Sequence, residues 1–344
     1  MSITAERAAK LRRLDVRRRQ LPRMSQTAFA ALVDDIERHG LPELYSRDAQ
    51  RDARTLIANA ETPYGKVIVD MDLIGPHGSK QLPFVNLSAF LHVAYCNAAG
   101  FRSLIRDRHA ACPSSPIKPW RLILYSDEVT PSVALPYVDR RKFWAFYSAF
   151  VELGPLTLSD SKSWITLATA QSEFVHNDVA AGVSQIFRRM IRSYFLESVD
   201  LKTTGLWLDA GGDDPGIRLF IDVGAFVQDG AAQAFTFCTK SDSATKSCIK
   251  CANFYARRSG LANEDGVDVL ACDLVDERDL VFATDDDVYA AIGRIEAAFL
   301  AHGRTQPFFI QEQASGLRHE PEGLLADRSI RHLVRPIQHR HART

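Results

Sequence analysis

The chain has 344 residues, a formal charge of zero from 42 basic and 42 acidic side chains, and a composition that is 46% hydrophobic and 24% charged. That is enough chain for about two domains and enough apolar side chain to bury a core, which excludes a disordered or fibrous protein. The balance also excludes a uniformly basic nucleic-acid coat, although it conceals strong local asymmetry.

Residues 1–23 carry eight basic side chains, Arg12, Arg13, Arg17, Arg18 and Arg19 among them, against Glu6 and Asp15. This start suits either phosphate contacts and a nuclear address or a solvated terminus. After Asp327 come no further acids, while Arg328 to Thr344 holds five arginines and three histidines. Between the basic ends, Glu264 to Asp287 holds ten acids and the single Arg278. It reads as a solvated loop running into a helix, with Asp285–Asp287 complementing the dipole of Val288–Leu300. No apolar run approaches the roughly 20 residues of a membrane span. Leu82 to Tyr95 comes nearest and is broken by Asn86, Ser88 and His92. The first residues lack the apolar stretch of a secretory leader, and six unevenly spaced cysteines do not make a secreted disulfide framework. An intracellular, soluble protein is expected.

In chain order, the first hundred residues read as mostly helical. Ser25 caps a helix whose stripe is Phe29, Leu32, Val33 and Ile36, and Gly40 with Pro42 stops it. A second helix is expected from about Arg47 to Ala60. A turn, Thr62-Pro-Tyr-Gly65, then leads to a strand, Lys66 to Val69. Three prolines between Ala111 and Pro119 mark the expected domain boundary. Beyond it, Arg121 to Tyr125, Phe143 to Leu153 and Trp164 to Ala170 read as strands. Val179 to Leu196 reads as a helix with Val183, Ile186, Phe187, Met190 and Ile191 on one face. A glycine-rich loop, Asp209 to Gly216, precedes a further extended run, Ile217 to Gln228.

The order strand, strand, strand, helix, strand predicts an antiparallel meander followed by a crossover. A helix supplies the connection that a parallel pairing needs. If the fourth strand lies parallel to the first, their C-terminal ends are neighbours. Asp127 and Asp229, 102 positions apart, then stand side by side.

Two carboxylates at adjacent strand ends suit Mg²⁺ or Mn²⁺, which bind a few hard oxygens and keep water and phosphate ligands. A pair of such ions about 4 Å apart can activate a nucleophile and stabilise the leaving oxygen of a phosphodiester, with Asp127 as the bridging ligand. Taken singly, each aspartate reads by its spacing rather as a turn residue after a strand, where Asp is common. Asp222 and Asp139 are weaker alternatives. Cys238, Cys248 and Cys251 form C-x9-C-x2-C, with Cys272 a further 21 positions on. Four thiolates at such spacing suit a closed tetrahedral Zn²⁺ site, and buried free thiols or a redox pair are the other readings. Cys96 and Cys112 stand apart. His92 and His176, in apolar surroundings, read as core histidines. No phosphate-binding glycine loop, metalloprotease helix or nucleophile elbow occurs.

Leu122-Ile-Leu-Tyr-Ser-Asp127, Arg141-Lys-Phe-Trp-Ala-Phe-Tyr147, Phe226-Val-Gln-Asp229 and Cys238 with Cys248-x-x-Cys251 follow one another in an order that resembles the Plavaka-type transposases of the Kyakuja–Dileera–Zisupton superfamily. Gly40-Leu-Pro42, Ser46-Arg47 and Glu61-Thr-Pro-Tyr-Gly65 resemble the N-terminal region of such proteins, so the likeness spans most of residues 25–340. It implies an α/β fold: a helical region over 1–115, then an RNase H-like mixed-sheet core over 116–344 with a cysteine-containing insertion at about 236–300. It also implies a nuclear, DNA-cleaving and DNA-joining enzyme using three carboxylates and divalent metal, of which Asp127 and Asp229 match the first two. The third lies in the family on a helix after the insertion, near an acidic-Trp-Met-His pattern. Here the corresponding stretch, Val334 to Thr344, contains no acid and the chain stops. Glu312 and Glu320 lie upstream, outside the matching context. The expected function is therefore a transposase-like protein with an incomplete site. The alternatives are a DNA- or protein-binding module stabilised by zinc and an unrelated α/β enzyme acting on a small molecule.

Overall fold

The computed structural model describes residues 34, 38, 59–130, 142–212, 214–246, 248–253, 278 and 281–337. The expected helices around Phe29–Ile36 and Arg47–Ala60, the arginine-rich start, Asp139, Cys272 and residues 338–344 fall mostly or wholly outside them. Two compact units divide the chain, Met1–Ile57 and Ala58–Thr344. In the first, Asp34 and Arg38 are helical and paired one turn apart at 2.6 Å.

The second unit opens with strands rather than helix. A small ladder, β1 (Glu61–Thr62) with β2 (Gly65–Lys66), precedes a hairpin of β3 (Ile68–Gly75) and β4 (Gly78–Val85). The expected strand at Lys66–Val69 is only the entry to it, and the reading of this region as mostly helical is corrected. Met71 and Leu73 in β3, and Leu82 and Phe84 in β4, are buried while Asp70, Asp72, Gln81 and Pro83 are exposed. That period of two is a half-buried strand's, and it outweighs helix propensity. Helices α1 (Leu87–Asn97), capped by Asn86, and α2 (Ala99–Ala111) follow.

The centre is a four-stranded mixed sheet. Strands β5 (Trp120–Val129), β6 (Phe143–Phe150) and β7 (Ile165–Gln171) form the antiparallel meander. A four-residue helix, α3 (Pro155–Leu158), lies in the β6–β7 connection. Two helices lead out of the meander, α4 (Ser172–Asn177) and α5 (Val183–Arg192), the latter ending in a wider π turn over Ser193–Glu197. A small hairpin, β8 (Leu206–Leu208) with β9 (Ile217–Leu219), comes before β10 (Ile221–Val227). The sheet order is β10-β5-β6-β7, and β10 runs parallel to β5. The run Ile217–Gln228 is thus two strands. It breaks at Phe220, whose N–H donates to Ser114 Oγ at 3.0 Å and whose carbonyl accepts from Trp120 N at 2.8 Å.

Packing explains the crossover. The buried face of α5 sets Phe187 edge-on to Phe146 of β6 at 5.3 Å and to Phe226 of β10 at 5.5 Å. Gln185, also buried, exchanges bonds with the backbone of Ile74, accepting from its N–H at 2.6 Å and donating to its carbonyl at 3.0 Å. The hairpin is thereby tied to α5. Gly75 is required there, because a Cβ would come within 2.2 Å of the Asp178 carbonyl oxygen.

The proline-rich stretch lies inside the second unit, joined to the sheet by Trp120 Nε1 donating to the Cys112 carbonyl at 2.8 Å. Helix α6 (Gly230–Phe237) follows β10 directly. Of the expected cysteine-containing insertion, residues 254–277 lie outside the described residues. Its last part is α7 (Asp285–His302), opened by a reciprocal cap between Thr284 and Asp287. Helix α8 (Gln306–Ser315) packs on it.

Candidate functional site

Asp127 and Asp229 are brought together by three local decisions. Alternation along β5 turns Leu124 and Ser126 toward the buried side, and Tyr125 and Asp127 to the other. In β10 one extra residue, Gly224, forms a bulge, so that Val223 pairs with Leu122 but Ala225 with Ile123 and Val227 with Tyr125. Only glycine fits, since a Cβ would sit 2.4 Å from that of Arg121. The bulge resets the register by one, and a one-residue slip would exchange the faces. Finally Gln228, next to Asp229, donates from Nε2 to Ser126 Oγ and to Thr236 Oγ1, each at 2.7 Å. It pins the end of β10 to the end of β5.

The phenol of Tyr125 senses both aspartates. It donates to Asp127 Oδ2 at 3.0 Å. Burial, that hydrogen bond and the nearby negative charges of Asp127 and Asp229 push it up to about 12. Asp229 is exposed and caps α6, accepting from Ala232 N at 2.7 Å.

Beside the pair is a groove of about 490 Å³. Tyr125 and Tyr147 stack across it at 5.8 Å and 25°, and Trp164 stands edge-on to Tyr125 at 5.9 Å. Val129 and Val227 line its sides, and Ser159, Ser161 and Thr166 supply hydroxyls. Sequence reading missed this cluster, although the signal was available. Pairing Tyr125 with Tyr147 needs only the β5–β6 register, in which the two are directly opposite.

Four other acids among the described residues lie elsewhere. Asp222 pairs with Lys202 at 2.8 Å. Glu128 points to the other face of β5, toward His176 at 3.9 Å and Lys142 at 4.0 Å. Glu312 is buried against Lys240 at 2.9 Å and accepts from His319 N at 2.7 Å. Glu320 lines a separate cavity of about 240 Å³ with Cys238, where burial raises both its carboxyl and the thiol, the latter to about 12. Among the described residues, no three His, Cys, Asp or Glu side chains gather in a way that holds a metal ion. Asp127 and Asp229 are the two carboxylates here that could hold a hard divalent cation, which takes oxygen ligands and keeps several waters.

The cysteines separate into two places. The Cys248 and Cys251 thiols touch, and Cys251 is raised by burial and by its neighbour against the pull of Lys246 and Lys250. Cys238 is the left-handed residue closing α6, φ 52°, and stands apart from that pair. The fourth expected ligand, Cys272, is outside the described residues. His92 is half-buried, 3.8 Å from Cys96 Sγ and edge-on to Tyr64, whereas His176 is exposed rather than in the core. Its ring lies 6.2 Å from that of buried Trp144 and 5.1 Å from that of exposed Phe235.

No protein-family model matches the chain, and no curated protein matches it. No helix among the described residues is long and apolar enough to cross a membrane.

Proposed function

We propose that the chain is a transposase-like, transposon-derived protein with an RNase H-like core, acting on DNA in the nucleus. The observation that carries this reading is the parallel pairing of β10 with β5, which sets Asp229 beside Asp127 at the open end of a meander-plus-crossover sheet. An RNase H-like core has that strand order and holds its metal-binding carboxylates on those strands. Asp127 and Asp229 would hold one Mg²⁺ or Mn²⁺. When bound, such an ion polarises a phosphodiester and lowers the pKa of a bound water. Tyr125 orients the Asp127 carboxylate by donating to one oxygen and leaving the other free. The Asp229 carboxylate is held by its helix cap, so both groups are set before an ion arrives. Cys248 and Cys251 would supply two ligands of a structural Zn²⁺.

A second reading is a DNA- or protein-binding module without cleavage. It is favoured by the lack, among the described residues, of a third carboxylate beside the pair. One experiment separates them. Asp127→Asn and Asp229→Asn keep the acceptor atoms for Tyr125 and for the α6 cap, so both variants should fold. Wild-type protein should bind Tb³⁺ with luminescence sensitised by Tyr125 and nick supercoiled DNA with Mn²⁺, and both variants should lose both signals. Tb³⁺ binding without nicking selects the binding module. Neither signal removes the metal site altogether.

A further inference from the structure

The aromatic groove next to Asp127 has features that a cation site does not require. Two rings are fixed without any ligand. Tyr125 is held by its hydrogen bond to Asp127 at 3.0 Å, and Trp164 by its Nε1 donating to the Leu158 carbonyl at 3.0 Å. Tyr147 stacks on Tyr125. Val227, at the groove edge, is 43% exposed, which leaves an apolar rim open at the last residue of the strand leading to Asp229. The volume, about 490 Å³, lies in the range of small-ligand sites, roughly 300–1,000 Å³.

We propose that the groove is a subsite for a single unpaired nucleobase, whose own phosphate reaches the cation at Asp127 and Asp229. The inference rests on the function proposed above and adds to it the state of the DNA strand that is recognised. Aromatic faces stack on any base, while hydroxyls such as Ser159 and Thr166 can meet the polar edge of the ring. A base still paired inside a duplex cannot present its face to a groove walled by side chains, so the nucleotide must be unpaired or swung out. Exposed Lys162 directly follows Ser161 of the groove and suits a flanking phosphate. The carboxylates alone would repel the backbone, so base stacking on one side and the cation on the other together define the path of the strand.

The test uses the full chain and two DNAs of equal length, with Ca²⁺ in place of the catalytic cation. One is fully paired and the other carries a two-nucleotide bulge, with 2-aminopurine at the bulge. The bulged DNA should bind about tenfold tighter or more, the magnitude of one base–aromatic stack, and its fluorescence should be quenched on binding. Trp164→Leu and Tyr147→Leu should bring its affinity down to the level of the paired DNA. An abasic bulge should do the same with unaltered protein, so the test survives a variant that fails to fold. Equal affinity for both DNAs, or full preference for the abasic bulge, overturns the subsite. If Asp127→Asn still abolishes nicking in that case, the proposed function stands without it. Absence of binding to either DNA overturns both.

Discussion

The two faces of the central sheet differ by one residue at every step along β5. Leu122, Leu124 and Ser126 enter a closed core in which Phe146, Phe187 and Phe226 meet edge to face. Tyr125 and Asp127 instead face a groove where aromatic rings remain half-exposed and two carboxylates share the charge near one phenol. The covered face gains from every apolar atom it removes from water. The other keeps polar and aromatic groups accessible and is held in shape from behind, chiefly by Gln228 reaching Ser126 and Thr236 through the end of the sheet. A fold that places its stability on one side leaves the other free to be arranged for binding.

The contrast is testable by substitution, and the covered face should be the more sensitive. Phe187→Ala should cost about 3–5 kcal/mol, because it empties the contact between α5 and two strands. A change in urea-unfolding free energy under about 1 kcal/mol would mean that something other than this face holds the crossover. Gly224→Ala should cost about 1–3 kcal/mol by forcing the new methyl against Arg121. It should also weaken Tb³⁺ binding, since the bulge aligns Asp229 with Asp127; unchanged Tb³⁺ affinity would show that the bulge does not set the pair.

The smallest effect concerns the outer side of α5, where Arg188 and Arg192 both bond Asp327, at 2.9 and 3.1 Å. Burial alone would raise this carboxyl, but hydrogen bonds from Ser329, Arg188 and Arg192 prevail and hold it down to about 2. A depressed carboxylate stabilises the fold above its unfolded value, about 4, and that stability is lost as pH falls toward 2. Asp327→Asn should therefore cost at most about 2 kcal/mol at neutral pH. It should also flatten the loss of stability between pH 4 and 2, as followed by urea midpoints across that range. An unaltered acid limb would assign it to other carboxylates.

Much of this arrangement is legible in the residues themselves. The meander strands, the stripe Val183, Ile186, Phe187, Met190 and Ile191, and the acidic helix start at Asp285–Asp287 follow from local periodicity and capping, which depend on near neighbours. The adjacency of Asp127 and Asp229 also follows, because an intervening helix favours a parallel return. The β3–β4 hairpin was equally visible in the alternation of Met71, Leu73, Leu82 and Phe84, and was obscured by the helical pattern expected around it. The partners of Asp222, Glu128 and Glu312 were not visible at all. Each is satisfied by a lysine or histidine far along the chain or across a strand, and no spacing rule points to it.

Local residue patterns were enough for the three meander strands, the crossover helix and the parallel return of the last strand toward Asp127, but not for the β3–β4 hairpin, which stands where helix was expected. Long-range packing sets the bulge at Gly224, gathers Tyr125, Tyr147 and Trp164 around one groove, and keeps Cys238 out of a common cluster with Cys248 and Cys251. The physical reason is the range of the forces. Propensity and periodicity act over a few residues, whereas register, aromatic contact and thiol proximity are set by how distant segments pack against a common core.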